Sequence, residues 1–289
     1  MAMVFELYKD VKAFNDDVYD LLMENEVVNM MILGDLAVGL TAENPIGWRD
    51  ASKWMMAAVK DSDCAVAAVF MIPGDNLQFY ISNRFGRQDL VLAHLAKGLA
   101  DTEVFIKGIY VKADLGPAFA DAYVFYVNTW HKKKCERLYT LSNCISADIL
   151  LQGHLRLAAE KDLAFIPYWR EDFLGNKNIS DDYEGYRGMI SAKNLYILED
   201  EGIPVSMGRI DQKLENICGL GLIYTPSYFR SKGYGTAITA HISKLCLDEG
   251  CTCALIADLA NPVSNSIYQK IGYKPVCDMI EIGFDIDKN

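Results

Sequence analysis

The stretch Tyr224-Thr-Pro-Ser-Tyr-Phe-Arg230-Ser-Lys-Gly233-Tyr-Gly235-Thr236 constrains the fold of this chain more than any other. It follows an apolar run, residues 216–224, that reads as a strand. It precedes an amphipathic helix expected over residues 235–249, with Ile238, Ile242 and Leu245 on its apolar face and Gly250 at the C′ position. A strand that turns directly into a helix aims the first helical N–H groups, which lack intrahelical partners, into one concavity. The helix dipole makes that concavity positive, and Gly233 and Gly235 let the backbone approach a ligand without a Cβ in the way. A pyrophosphate fits such a place, and Arg230 and Lys232 add mobile positive charge. The plain alternative is a strand-to-helix turn that merely needs glycine. Neither nucleotide fingerprint fits, because Gly235-Thr-Ala lacks the Gly-Lys-Ser/Thr ending of a Walker loop and no Gly-x-Gly-x-x-Gly occurs here.

The remaining elements fall into two groups. Residues 9–38 read as helical, with Val11, Phe14, Val18, Leu21 and Leu22 on one face. A turn is expected at Asn44-Pro45-Ile46-Gly47, then strands over 54–59, 65–72 and 77–82, with Pro73-Gly74 breaking the second. A helix over 88–100, an apolar run at 104–110, a helix over 117–129 and a strand over 133–144 follow. The second group starts near His154. It reads as a strand at 155–159, helices at 160–174 and 180–192, strands at 194–199, 205–210 and 216–224, the long helix, a strand at 254–257, a helix at 262–271, and strand from Tyr273 on. Strands feeding helices that return to strands predict a sheet with helices on both faces. No Gly/Ser-rich linker separates the groups, so the expected domains are 1–145 and 150–289.

Composition narrows the function. The formal charge is −11, with 14 basic and 20 acidic residues up to position 150 and 14 and 19 after it. Neither part is basic, which argues against a nucleic-acid partner. With 51% hydrophobic and 23% charged residues, packed cores are expected rather than disorder. Met1 to Lys9 carries Glu6 and is too short in apolar length for a signal peptide, and no run reaches the ~18 apolar residues that span a bilayer. The expected location is cytoplasmic, with no membrane partner. Eight cysteines show no Cys-x-x-Cys spacing and read as reduced core thiols. Cys251-Thr-Cys253 lacks the four ligands of a structural zinc site, so no metal is expected.

Two motifs carry a family resemblance. Arg230-Ser-Lys-Gly233-Tyr-Gly235 resembles the (Gln/Arg)-x-x-Gly-x-(Gly/Ala) signature of the GNAT superfamily of N-acetyltransferases. Asn261-Pro-Val-Ser-Asn265-Ser-Ile-Tyr268-Gln-Lys270-Ile-Gly272-Tyr273 is similar to that family's second signature. A helix and a strand lie between them, as in the family, and the resemblance covers roughly residues 153–285. It implies an α/β chain of two GNAT-like units, each a mixed, mostly antiparallel sheet flanked by helices, the N-terminal one a degenerate copy without the loop signature.

By the same resemblance, acetyl-CoA is the cosubstrate. The loop Ser231, Lys232, Gly233, Tyr234, Gly235 and Thr236, with Arg230, would hold its pyrophosphate. The main chain of Ile223, Tyr224 and Thr225 would pair with its pantetheine arm, and Asn261 and Asn265 would lie near it. Tyr268 occupies the place of a general acid that protonates the leaving thiolate, although an aromatic filling a helix–sheet interface explains it as well. Asn261 before Pro262 is also an ordinary helix cap. Asp258 could accept a proton or bind the amine, or be a solvated cap.

The expected reaction is direct transfer of an acetyl group to a primary amine on a small molecule or peptide. A non-catalytic acyl-CoA-binding sensor or scaffold is the rival reading, and an oxygen acceptor a third. Tyr168, Trp169, Asp172, Asp181 and Asp182 could line a cationic acceptor pocket, and the N-terminal unit could shape it or support a homodimer.

Overall fold

The computed structural model describes residues 3–41, 49–102, 104–127, 129–176, 178 and 183–285. The turn expected at Asn44–Gly47 lies outside these residues. Contacts divide the chain into two compact units, Met1–Arg137 with Cys277–Asn289, and Leu138–Val276. This differs from a linear cut at 145–150. Tyr139 and Leu141, before that cut, lie in the core of the second unit, and Ile280, Ile282 and Phe284, after it, lie in the core of the first. The boundary falls inside two long strands, β6 (Thr129–Leu141) and β12 (Lys274–Asp285).

In the first unit, β1 (Val4–Tyr8), β2 (Met55–Asp61), β3 (Cys64–Met71) and β4 (Gln78–Ile81) form an antiparallel sheet in that order. Helices α1 (Val11–Met23), α2 (Met30–Thr41), α3 (Gln88–Ala100) and α4 (Gly116–Tyr123) accompany it, and β5 (Gly108–Lys112) pairs antiparallel with β12. Strand β1 was not anticipated, and the single helix expected over 9–38 is two. Asp10 starts α1, its carboxylate accepting the Ala13 N–H at 2.8 Å. The helix stops after Met23 because asparagine side chains compete for the backbone. Asn25 accepts the Val28 N–H at 3.3 Å, and buried Asn29 donates to the Leu22 carbonyl at 2.7 Å.

The second unit carries the site. Strands β7 (His154–Leu157), β8 (Leu195–Asp200), β9 (Ile203–Lys213) and β10 (Ile217–Tyr224) pair antiparallel in sequence order, and β11 (Thr252–Asp258) joins β10 in parallel. Helices α5 (Ile166–Leu174) and α6 (Tyr183–Ser191) contribute Ile166, Trp169 and Tyr186 to one core cluster. Helices α7 (Tyr234–Asp248) and α8 (Pro262–Ile271) contribute Ala237, Ile238, Ile242, Tyr268 and Ile271 to another.

Strand β10 changes face along its length. Cys218 and Leu220 belong to the α7 cluster, whereas Leu222 and Tyr224, still at every second residue, belong to the α5 cluster. A bulge between Gly221 and Tyr224 causes the switch, with Leu222 at φ +51°, because one extra residue inverts the alternation of the pleat. Among the described residues no helix is long and apolar enough to cross a membrane.

Candidate functional site

The same bulge opens a cleft. Parallel pairing of β10 with β11 runs from Ile217↔Thr252 to Leu220↔Leu255 and ends there, so the main chain from Gly221 to Tyr224 has no β11 partner. Beyond the bulge the end of β10 is fixed from below. The buried Ser206 hydroxyl donates to the Tyr224 carbonyl at 2.7 Å and pairs with the Thr225 hydroxyl at 2.9 Å. A pocket of about 680 Å³ occupies the cleft, lined by β10, the following loop, the first turns of α7 and one face of α8.

The loop presents donors to this pocket. The N–H groups from Ser231 to Thr236 have no hydrogen-bond partner among the described residues, and the first bond of the helix is Ala237 N–H to Gly233 C=O at 2.9 Å. Ser231 and Gly233 take left-handed φ values of +63° and +86°, the kind of alternation that builds an anion-binding nest of backbone N–H groups. Gln152 braces the loop from outside by donating to the Lys232 carbonyl at 2.7 Å. Arg230 donates to the Thr225 carbonyl at 2.9 Å and lies over the Tyr224 ring, 5.9 Å from its centre. Positive charge is therefore held at the rim of an array of free donors, an arrangement suited to a phosphate group.

Gly233→Ala tests how firmly this turn is imposed. A Cβ there meets the Gln152 amide nitrogen at 2.9 Å and a φ that L-residues avoid. The expected loss is about 1–2 kcal/mol, read as a lower urea midpoint with unchanged slope. An unchanged midpoint would show that the loop relaxes freely.

Tyr268 is 8% exposed and lines the pocket from α8. Its ring packs tilted against Tyr139 at 6.2 Å and edge-on against Tyr273 at 6.1 Å, and its hydroxyl has no hydrogen-bond partner among the described residues. Burial pushes its pKa up to about 12, so the phenol stays protonated over the whole working range. Asn261 caps α8 by accepting the Ser264 N–H at 3.2 Å, and it also lines the pocket.

Of the anticipated residues, Ile223, Tyr224, Thr225, Arg230, Ser231, Gly233, Tyr234, Gly235, Thr236, Asn261 and Tyr268 line one pocket. Lys232 is not part of the lining, and its ammonium lies over the Phe229 ring at 5.7 Å. Asn265 is not part of it either. Its amide donates to the Asp258 and Asn261 carbonyls at 2.7 Å and accepts from the Tyr139 hydroxyl at 2.8 Å, so it ties α8 to β11 and β6. Asp258 closes β11 outside the lining, accepting the Ala260 N–H at 2.8 Å.

Of the residues considered for an acceptor pocket, Trp169 is in the core, Tyr168 is exposed, and Asp181 and Asp182 lie outside the described residues. Asp172 lines the cleft and accepts a hydrogen bond from the Tyr224 hydroxyl. Burial, and then that bond, push the Tyr224 pKa up to about 12. Sequence reasoning missed Phe173, Phe229, Thr239, Val263, Ser264 and Ile267 in the lining. Helical spacing could have found the last three, since Val263, Ser264, Ile267 and Tyr268 share one face of α8.

A family model described as FR47-like protein matches residues 212–279, from the end of β9 through α8 into β12. No curated protein matches the chain. Solved structures of similar fold span it from end to end. A Drosophila protein is 14% identical with a TM-score of 0.67, covering 98% of this chain and 99% of its own. A GCN5-related N-acetyltransferase from Sphaerobacter thermophilus is 13% identical with a TM-score of 0.61, covering 98% and 97%. A tandem GNAT protein from the clavulanic acid biosynthesis pathway is 10% identical with a TM-score of 0.59, covering 100% of both chains. Identities this low establish the fold. The chain has the mixed α/β, mostly antiparallel GNAT fold, as the two motifs implied.

Proposed function

We propose that this protein is an acyl-CoA-dependent N-acyltransferase that moves an acetyl group from acetyl-CoA to a primary amine by direct transfer. The observation that carries this reading is the meeting, in one pocket, of five residues whose N–H groups have no partner among the described residues, an interrupted strand pair and a buried neutral phenol. The residues present fit the cosubstrate. The free donors from Ser231 to Thr236 and the Arg230 guanidinium would hold its phosphates. The unpaired main chain of Ile223–Thr225 would take the pantetheine amides as a further strand takes an edge. When bound, acetyl-CoA supplies an acyl thioester with an electrophilic carbonyl.

The chain's own groups divide the remaining work. Tyr268 presents a hydroxyl proton into the cleft from α8. Ser206 and Thr225 keep the end of β10 in place. Asp172, held against the Tyr224 hydroxyl, offers a carboxylate that would accept a hydrogen bond from the neutral amine of an acceptor and orient its lone pair toward the thioester carbonyl.

The test is thiol release from acetyl-CoA against a panel of amines, amino acids and peptide N-termini. Release with at least one amine, matched by an N-acetyl product, supports the reading. Thermal stabilisation by acetyl-CoA with no release across the panel would favour a binding module instead. Asp172→Asn is expected to raise the acceptor KM by about tenfold or more, the scale of one hydrogen bond to a charged group, with stabilisation by CoA unchanged. An unchanged KM would remove Asp172 from the acceptor site.

A further inference from the structure

We propose that Cys218, Glu249 and Cys251 form a binding site for a single zinc-like or cadmium-like divalent cation at the C-terminal end of α7. The two sulfur atoms and a carboxylate oxygen of Glu249 lie within 4.8 Å of one another. Ligands around one tetrahedral zinc stand about 3.5–4 Å apart, so small side-chain movements close the set. Two sulfurs with one oxygen select a soft or borderline d10 ion over magnesium or calcium, and the fourth position is left to water.

The ligands are held by backbone geometry. Helix α7 ends in a Schellman turn, with Cys251 N–H donating to the Cys246 carbonyl at 3.0 Å and Gly250 N–H to the Leu247 carbonyl at 2.9 Å. Gly250 takes the left-handed φ of +85° that this turn needs. Glu249 and Cys251 flank that glycine and are thereby fixed relative to each other. Cys218 arrives from β10, where Ile217 pairs with Thr252 and Cys218 with Cys253, so sheet register brings it beside the turn. Sequence spacing does not reveal this, because the two thiols are far apart in the chain and no Cys-x-x-Cys links them.

The surroundings provide entry and a proton balance. Cys218 is buried, Cys251 is 8% exposed and Glu249 is exposed, so the carboxylate stands at the mouth. Its ion pair with Lys213 at 2.6 Å joins two half-exposed side chains and yields readily to a divalent ion. Binding one cation forms two metal–thiolate bonds, and the two thiol protons go to solvent. The 15-residue α7 separates this end from the loop at Gly235 by roughly 20 Å, so the site does not depend on acyl transfer.

The experiment uses the full chain with Cys64→Ser and Cys144→Ser, which removes the two exposed thiols. It is titrated with cadmium alone and then competed with zinc. The expected result is a thiolate-to-cadmium charge-transfer band saturating at one equivalent, two protons released per ion, and affinity at least tenfold weaker in Cys251→Ser. Far-ultraviolet circular dichroism and the metal-free melting temperature confirm that the variant is folded. Glu249→Lys, on an exposed helix end, leaves both thiols in place and is also expected to bind at least tenfold more weakly. A missing band, a band of full strength and affinity in folded Cys251→Ser, or unchanged affinity in Glu249→Lys overturns the site.

Discussion

Tyr268→Phe is expected to slow single-turnover acyl transfer by about 10²-fold or more while CoA affinity stays the same. The substitution keeps a ring that packs against Tyr139 and Tyr273 and removes only a hydroxyl that has no hydrogen-bond partner among the described residues, so stability should barely change. Burial raises the phenol to about 12, which favours the neutral acid. No alkaline fall in rate should trace to Tyr268 below that value. The same shift limits how it acts. Complete transfer of its proton to a thiolate of ordinary pKa about 8.5 is uphill by roughly 5 kcal/mol. In the proposed reaction the hydroxyl would act chiefly by donating a hydrogen bond to developing charge, for which the loss of one placed donor costs about 10²–10³ in rate. Single-turnover rates are required because product release can mask chemistry in kcat. Transfer within about threefold of wild type would reduce Tyr268 to a packing residue, and the acyltransferase reading would then rest on the loop and cleft alone.

How much of this was legible follows the range of each signal. Helix α8 could be read to its ends, because Asn261 caps it, Pro262 sits at the first turn and Gly272 takes the left-handed φ of +118° that stops it. Helix α7 was read one residue late, and of its expected apolar face Ile238 and Ile242 are buried while the third member is not. Leu245 is 40% exposed, and Cys246 takes the buried place. The loop after β10 was legible because glycine and orphan donors are local facts. The bulge was not, since Leu222 adopts a left-handed φ with no local preference for it, and an unbroken apolar run looks the same on either face of a sheet. Asn265 was assigned toward a ligand, yet its amide is engaged by Tyr139, 126 positions away. The Asp172 contact with Tyr224 spans 52 positions and has no sequence signature either. Motifs thus identified the pocket wall, and tertiary contacts decided which side chains are free to serve it.

Gly235→Asp is expected to abolish the rise in melting temperature that acetyl-CoA or CoA produces. A ligand at a hundredfold excess over its Kd stabilises the native state by about 2.7 kcal/mol. A carboxylate about 4 Å from one phosphate charge, at an effective dielectric near 20, opposes binding by roughly 4 kcal/mol, which exceeds that gain. The fold itself accommodates the change. A Cβ at 235 meets the Thr225 hydroxyl at 3.5 Å and Ile267 at 3.8 Å, both ordinary contacts. Replacing glycine in the first turn of α7 removes backbone entropy from the unfolded chain, and an acidic side chain there complements the helix dipole by about 0.3–1 kcal/mol. The ligand-free variant should therefore melt at or above the wild-type temperature. The two effects have opposite signs, which separates loss of the site from loss of the fold. Gly235→Ala, which adds the Cβ without charge, should keep at least part of the shift. A folded Gly235→Asp protein that still shows the full shift would mean that the anion binds elsewhere, and the assignment of the loop from Ser231 to Thr236 would fall with it.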